Sequence, residues 1–295
     1  MIFFHPPGKN YIDAQAFINM KRLLIALMML SVTARGYAQE LGVQIYSFRN
    51  HLAKDLPGTL QKIKDMGLTN LEGEFSYYGL SIAEFKQLLD KKKMKMVTIA
   101  ATYEKLQTDL YTIMGDAKTL GAKYVVCHWI PHTNNEFTID HARKAVEVFN
   151  EAGRKLREKG ITLCYHPHGY EFRPYESGTL FDYIATKSNP QYLSFEMDVF
   201  WVKHPGQEPV ELLKKYAGRF PLMHLKDRKP GTPGNQNGQA DVESNVVLGQ
   251  GDVGIAAVMK VAKKYGVKYT FIEDESSRSL EQVPQSVSFL KSLKK

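Results

Sequence analysis

What most constrains this chain is an alternation that starts at residue 41 and runs to the C-terminus. Eight short apolar runs, over 41–48, 70–75, 95–102, 124–131, 161–168, 193–202, 220–226 and 268–274, read as strands buried on both faces. Amphipathic stretches with helical spacing separate them, among them Leu60-x-x-Ile-x-x-Met66, Ile82-x-x-Phe-x-x-Leu-Leu89 and the longest, 142–156. Pro57, Ser81 with Glu84 three later, and Thr138 with Asp140 mark helix starts. Gly67, Gly121, Gly160, Gly218 and Gly266 stand where left-handed C-caps are expected. Eight strand–helix units in ~250 residues is the arithmetic of an α/β protein of the (β/α)8 TIM barrel type. The rival, a doubly wound open sheet, usually carries a glycine-rich phosphate loop after its first strand. Tyr46-Ser-Phe-Arg-Asn50 is not one.

Several of these runs end in ionisable residues. Phe195-Glu-Met-Asp-Val-Phe-Trp201, Pro221-Leu-Met-His-Leu-Lys-Asp227 and Tyr269-Thr-Phe-Ile-Glu-Asp-Glu275 deliver Asp198, His224 and Glu273 at the same strand position. Burying charge is unfavourable unless it is paired or metal-bound. An Asp, a His and a Glu together suit a borderline or hard divalent cation. Alternation along the strands puts more polar residues on the same rim: Gln44 and Tyr46, Glu72 and Glu74, His128, His166 and His168, Lys226 and Glu275. Such a ring of acids and imidazoles fits a metal and a polyhydroxylated substrate. Gln44, Glu72, His128, His168 and Trp201 are the expected substrate contacts. Lys226 is expected to polarise an oxygen or relay a proton, with an ion pair to a rim acid as its alternative role. Trp129 and Trp201 could stack on a sugar face or pack between barrel and helices.

The N-terminal residues 1–38 read as a secretory signal peptide, with Met20 as the true start. Met20-Lys-Arg22 precedes an apolar core of about ten residues, and Gly36-Tyr-Ala38 offers small residues before a cut ahead of Gln39. The run is too short to span a membrane, and no Cys follows it for a lipid anchor. The mature protein is expected to be exported, to the periplasm, as one domain over 39–295, without membrane insertion after cleavage. Formal net charge is +8, but without residues 1–38 the chain holds 35 basic and 30 acidic residues. So mild a balance gives no reason to expect nucleic acid as a partner. Two cysteines, Cys127 and Cys164, make no disulfide scaffold. The one long irregular stretch, 228–251 with Pro230-Gly-Thr-Pro-Gly-Asn-Gln-Asn-Gly238, follows strand seven on the active-site side, where a lid or substrate loop would sit.

The motifs Tyr165-His-Pro-His-Gly-Tyr-Glu-Phe172, Met197-Asp-Val-Phe-Trp201, His224-Leu-Lys-Asp227, Leu248-Gly-Gln-Gly-Asp252 and Ile272-Glu-Asp-Glu275, in this order, resemble those of the xylose-isomerase-like TIM barrels, the sugar phosphate isomerase/epimerase family. The resemblance covers nearly all of residues 41–295. It implies one divalent metal ion (Mn2+, Co2+, Mg2+ or Zn2+) held from strands five to eight, with Asp198, His224 and Glu273 matching three ligands. The fourth is a Glu in the ketose epimerases of the family, and here the matching position is His166, with Glu171 beyond the strand end as the alternative. The chemistry implied is proton abstraction next to a carbonyl of a small carbohydrate, through an enediolate, with Glu273 or His166 as base. Isomerisation or epimerisation is the first expectation. Because His166 stands where epimerases carry Glu, a β-eliminating lyase or hydratase acting on a 3-keto-glycoside is the alternative. An exported enzyme, with no Arg/Lys phosphate clamp in the sequence, is expected to take an unphosphorylated sugar. Two rivals remain: the DNA-cutting AP-endonuclease branch of the fold, which needs more ligands and a basic groove, and a carbohydrate-binding protein that has lost its chemistry. The sequence leaves homo-oligomer formation open.

Overall fold

Eight parallel strands close on themselves in the computed structural model, which describes residues 1–3, 39–133 and 135–293. The strands are β1 Glu40–Gln44, β2 Asn70–Glu72, β3 Lys95–Ala100, β4 Tyr124–Cys127, β5 Thr162–Tyr165, β6 Leu193–Asp198, β7 Leu222–Leu225 and β8 Tyr269–Ile272. Each pairs with its sequence neighbours, and β1 closes the barrel on β8 with Gly42 opposite Phe271. The outer ring is α1 Leu56–Asp65, α2 Ile82–Lys92, α3 Leu110–Leu120, α4 Ile139–Arg157, α5 Leu180–Lys187, α6 Pro209–Lys215, α7 Ile255–Ala262 and α8 Ser279–Ser292. This is the (β/α)8 TIM barrel expected from the alternation. The signal segment expected over 1–38 lies almost entirely outside the described residues. Among the described residues no helix is long and apolar enough to cross a membrane.

Local chemistry sets the element ends. Ser81 and Glu84 form the expected capping box of α2, each bonding the other's backbone N–H. At α4 the box partner of Thr138 is His141 rather than the Asp140 singled out from sequence. Gly121 ends α3 at φ 74°, and the four other glycines expected at helix ends also hold positive φ. Inside the barrel, Val97, Tyr124, Val126, Cys164, Leu222 and Phe271 fill the core below the site. Gly42 makes room there, since a Cβ would lie 2.7 Å from the Phe271 ring. Cys127 and Cys164 are both buried and free.

All eight expected runs extend past the C-terminal ends of the strands, and two of them run into helix. After Gln44 the chain turns into a 3-10 helix, Ile45–Phe48, because the Gln44 side chain accepts the Tyr46 N–H. After Asp198 it turns into the helix Val199–Lys203, because Asp198 Oδ1 accepts the N–H groups of Phe200 and Trp201. The irregular segment 228–251 is pinned rather than free. It carries the antiparallel pair Asp227–Arg228 with Asn245–Val246, and the buried Asp227 carboxylate accepts the N–H groups of Gly249, Gly251 and Val253.

Candidate metal centre and catalytic site

At the C-terminal ends of the strands the inward side chains form two tiers. The lower tier is carboxylate: Glu72 closes β2, and Glu196 lies two residues before Asp198 on the same face of β6. Both are fully buried. Above them stand His166, just after β5, and His224, in β7, each exposed by 2% or less. The upper tier holds Asp198, Glu273 and Lys226, none exposed by more than 8%.

Each imidazole spans the two tiers. His166 Nδ1 lies 3.1 Å from Glu196 Oε2, and its Nε2 lies 3.8 Å from Asp198 Oδ2. His224 Nε2 sits 3.0 Å from Glu72 Oε2 and 3.4 Å from Glu196 Oε2. That nitrogen makes no aligned hydrogen bond, so charge holds it there. His224 Nδ1 faces upward, 3.2 Å from Glu273 Oε2 and 3.8 Å from Asp198 Oδ2. Asp198 Oδ2 is therefore a buried carboxylate oxygen with no hydrogen-bond partner, equidistant from one nitrogen of each imidazole. The ligand atoms of His166, Asp198 and His224 all lie within 4.8 Å of one another, as do those of Glu72, Glu196 and His224 and of His128, His166 and Glu196. Ligand bonds of about 2.0–2.2 Å require spacings of this order.

The electrostatics favour a cation. Glu72, Glu196, Asp198 and Glu273 gather around His224 and Lys226. Burial and the neighbouring Glu72 push the Glu196 carboxyl well above the usual range. Burial also raises Glu72, but His224 and His128 outweigh it and hold that carboxyl down at about 2. Burial and three surrounding imidazoles keep His166 neutral, which is the form that binds metal. Burial opposes charge on His224, yet Glu196, Glu72 and Glu273 overcome it and favour the imidazolium. A divalent ion beside Asp198 would supply the same compensation from the upper tier. His166, His224 and Glu273 line a cavity at this rim, while Asp198, Glu72 and Glu196 lie behind them.

That cavity has a volume of about 380 Å³ and is lined by Gln44, Tyr46, Glu74, Phe75, His128, His166, His168, His224, Glu273 and Glu275, with Gly73 and Ala100. No Lys or Arg is among them. Gln44, His128 and His168 thus reach the place expected of substrate contacts. Glu72 and Trp201 do not. Glu72 is enclosed beneath His224, with Oε1 taken by Gln44 Nε2 at 3.0 Å and approached by His128 Nε2 at 3.4 Å. Trp201 belongs to the helix that Asp198 caps and packs against His168 and His204. Lys226 takes its alternative role. Its ammonium contacts Glu273 Oε2 at 3.1 Å and Glu275, lies over the rings of Phe200 and Trp201, and is absent from the cavity wall. Burial disfavours its charge, but Glu273, Glu275 and Asp198 raise its pKa above the normal lysine value.

Glu171 is occupied elsewhere. Fully buried, it accepts the N–H groups of His168 and Gly169 and the Tyr165 hydroxyl, and burial pushes its carboxyl up to about 7. It organises the loop after β5, which leaves His166 as that strand's group at the centre. Sequence reasoning missed Glu196. Its signal is the i, i+2 pair Glu196/Asp198, which puts both carboxylates on one face of the strand.

A family profile described as the xylose isomerase-like TIM barrel matches residues 60–293. The chain belongs to that family. Among curated proteins, this xylose isomerase-like barrel is 25% identical over 172 residues to an inosose dehydratase of Geobacillus kaustophilus (strain HTA426), a match covering 54% of this chain. The matched stretch spans about half the length of that relative, 53%. Among solved structures it resembles a sugar phosphate isomerase/epimerase from Parabacteroides distasonis ATCC 8503, with a TM-score of 0.72 and 24% identity, covering 86% of this chain and 98% of that one. It also resembles the IolI protein, solved with a bound zinc atom, at a TM-score of 0.68 and 16% identity, covering 87% and 96%. These two likenesses establish the fold.

Proposed function

We propose that this protein is a divalent-metal-dependent enzyme that removes a proton beside the carbonyl of an unphosphorylated keto-sugar and expels the oxygen substituent from the next carbon. It is thus read as a carbon–oxygen lyase of the dehydratase type, within the broader isomerase, epimerase and dehydratase chemistry of its relatives. The observation that carries this is the composition of the cavity. Glu273 is the carboxylate among the candidate ligands that lines the cavity, while the wall from β4 and β5 presents the imidazoles of His128, His166 and His168 and no carboxylate. Support comes from the curated relative, which is named a dehydratase. The absence of Lys and Arg from the wall supports a substrate without phosphate. We also propose export, on the strength of the N-terminal segment alone.

His166, Asp198, His224 and Glu273 would hold the ion, which when bound supplies Lewis-acid polarisation of the carbonyl. Burial raises the Glu273 carboxyl, but Lys226 and His224 outweigh it and hold it below the ordinary range. Glu273 is therefore ionised and ready to accept a proton, but it is a weak base, so the C–H must be acidified by its neighbour. Lys226 fixes the carboxylate that takes this proton. The C–H pair becomes the new carbon–carbon double bond as the C–O bond breaks. Glu273, now protonated, returns the proton to the departing oxygen, so that water or an alcohol leaves with no redox change. Burial pushes His168 down to about 3, so it is neutral and steers hydroxyls by hydrogen bonding rather than by proton transfer.

The test is NMR in D2O with metal-loaded protein, free ketoses and 3-keto-glycosides. Release of the alcohol with an unsaturated keto-sugar, abolished by Glu273→Gln, is expected. Deuterium beside the carbonyl of an intact, rearranged sugar would instead establish an isomerase or epimerase. No exchange and no turnover with any of them would overturn the catalytic reading.

A further inference from the structure

The deep end of the cavity is polar, but its mouth is not. Of the large apolar side chains exposed among the described residues of the barrel unit, Tyr46 and Phe75 both line this one cavity. Tyr46 is 39% exposed and Phe75 63%. Tyr46 stands in the 3-10 helix after β1 and Phe75 on the loop after β2, across the barrel from the imidazoles that follow β5. Scattered exposed apolar residues are ordinary, but two aromatic rings at one cavity mouth are not scattered.

The rings are also held in place. The Arg49 guanidinium lies 4.3 Å from the Tyr46 ring centroid. The same guanidinium donates to the carbonyls of Tyr46 and Glu275, each at 3.0 Å, which ties the ring to the rim of β8. One face of Tyr46 is thus backed by a planar cation while the ring still borders the cavity. Phe75 sets its ring edge-on to His128 at 6.3 Å. Beside these rings the wall carries the carboxylates of Glu74 and Glu275, which accept hydrogen bonds from hydroxyl groups. Glu74 is itself positioned by the Tyr78 hydroxyl. A fixed aromatic face next to carboxylate acceptors suits a second hydroxylated ring, whose C–H face packs on the aromatic while its hydroxyls reach the acids. The same acids disfavour an anionic group.

We propose that Tyr46 and Phe75 form a leaving-group subsite, so that the substrate is a two-ring glycoside, an uncharged sugar or aryl ring joined to the keto-sugar that reacts at Glu273. This deepens the catalytic reading above and rests on it for which ring reacts. A free monosaccharide would leave the mouth unused.

The experiment compares the full-length metal-loaded chain with Tyr46→Ala and Phe75→Ala on a 3-keto-disaccharide and on the methyl 3-keto-glycoside. The ratio of kcat/KM for the two-ring over the one-ring substrate is expected to fall at least about ten-fold in each variant, and Tyr46→Phe is expected to retain it. Equal losses on both substrates, or an unchanged ratio, would overturn the subsite while leaving the lyase reading intact. Binding separates the two readings when turnover is lacking. In saturation-transfer NMR on Glu273→Gln with an unreacted disaccharide, the second ring should show contact that Tyr46→Ala removes. Contact confined to one ring, or untouched by either substitution, counts against the subsite.

Discussion

At His166 and His224 the same arrangement appears twice, a ring nitrogen facing a buried carboxylate below and the other nitrogen facing Asp198 above. Carboxylates that hold the far nitrogen of a metal-binding imidazole fix its tautomer and its orientation. Glu196 does this for both rings at once, which explains a fully buried acid that reaches no open space. Its replacement by Gln keeps the shape but puts an amide where both rings meet an acceptor. Glu196→Gln is therefore expected to weaken divalent-ion affinity by about 10–100-fold, read by calorimetry with circular dichroism unchanged. Unaltered affinity in a folded variant would show that Glu196 serves packing alone. This residue also shows where sequence reading stops. The outward- and inward-facing alternation of β6 was legible, yet nothing in the sequence says that Glu196 points at two imidazoles 28 and 30 residues away.

On the scale of single elements, the strand cores were readable because a strand buried on both faces leaves an unbroken apolar run. Their ends were not. Whether the chain continues as a strand or coils after Asp198 depends on where the Asp198 oxygens point, and one of them caps the next helix while the other faces the imidazoles. Reading 193–202 as one strand put Trp201 on the rim, and the helix moves it away from the cavity, against His168 and His204. For the same reason Glu171 was weighed as a ligand although three groups already satisfy it. Barrel closure has its own marker in β1. Gly42 faces Phe271, and an added methyl would meet both that ring and the Asn70 carbonyl oxygen, at 2.5 Å from the latter. Gly42→Ala is expected to destabilise the barrel by about 1–3 kcal/mol through overpacking, measured by denaturant unfolding. Wild-type stability would mean that β1 shifts freely against β8.

For the whole molecule, the barrel was legible, since eight alternating units leave few closed solutions, and the site was legible as a rim rather than as a set of contacts. The barrel brings residues from β2, β5, β6, β7 and β8 to one point, where four buried carboxylates face two fixed cations. A chain that folds around such an excess of negative charge either protonates an acid, as Glu196 tends to do, or binds a cation. The central claim is that the second outcome is the working state, with Asp198 at its centre. Isothermal titration of chelator-stripped protein with Mn2+ or Zn2+ tests it most directly. One ion should bind per chain in the wild type, and the binding should be lost in Asp198→Ala. Failure of the wild type to bind either ion, or equal binding by Asp198→Ala, would contradict the account.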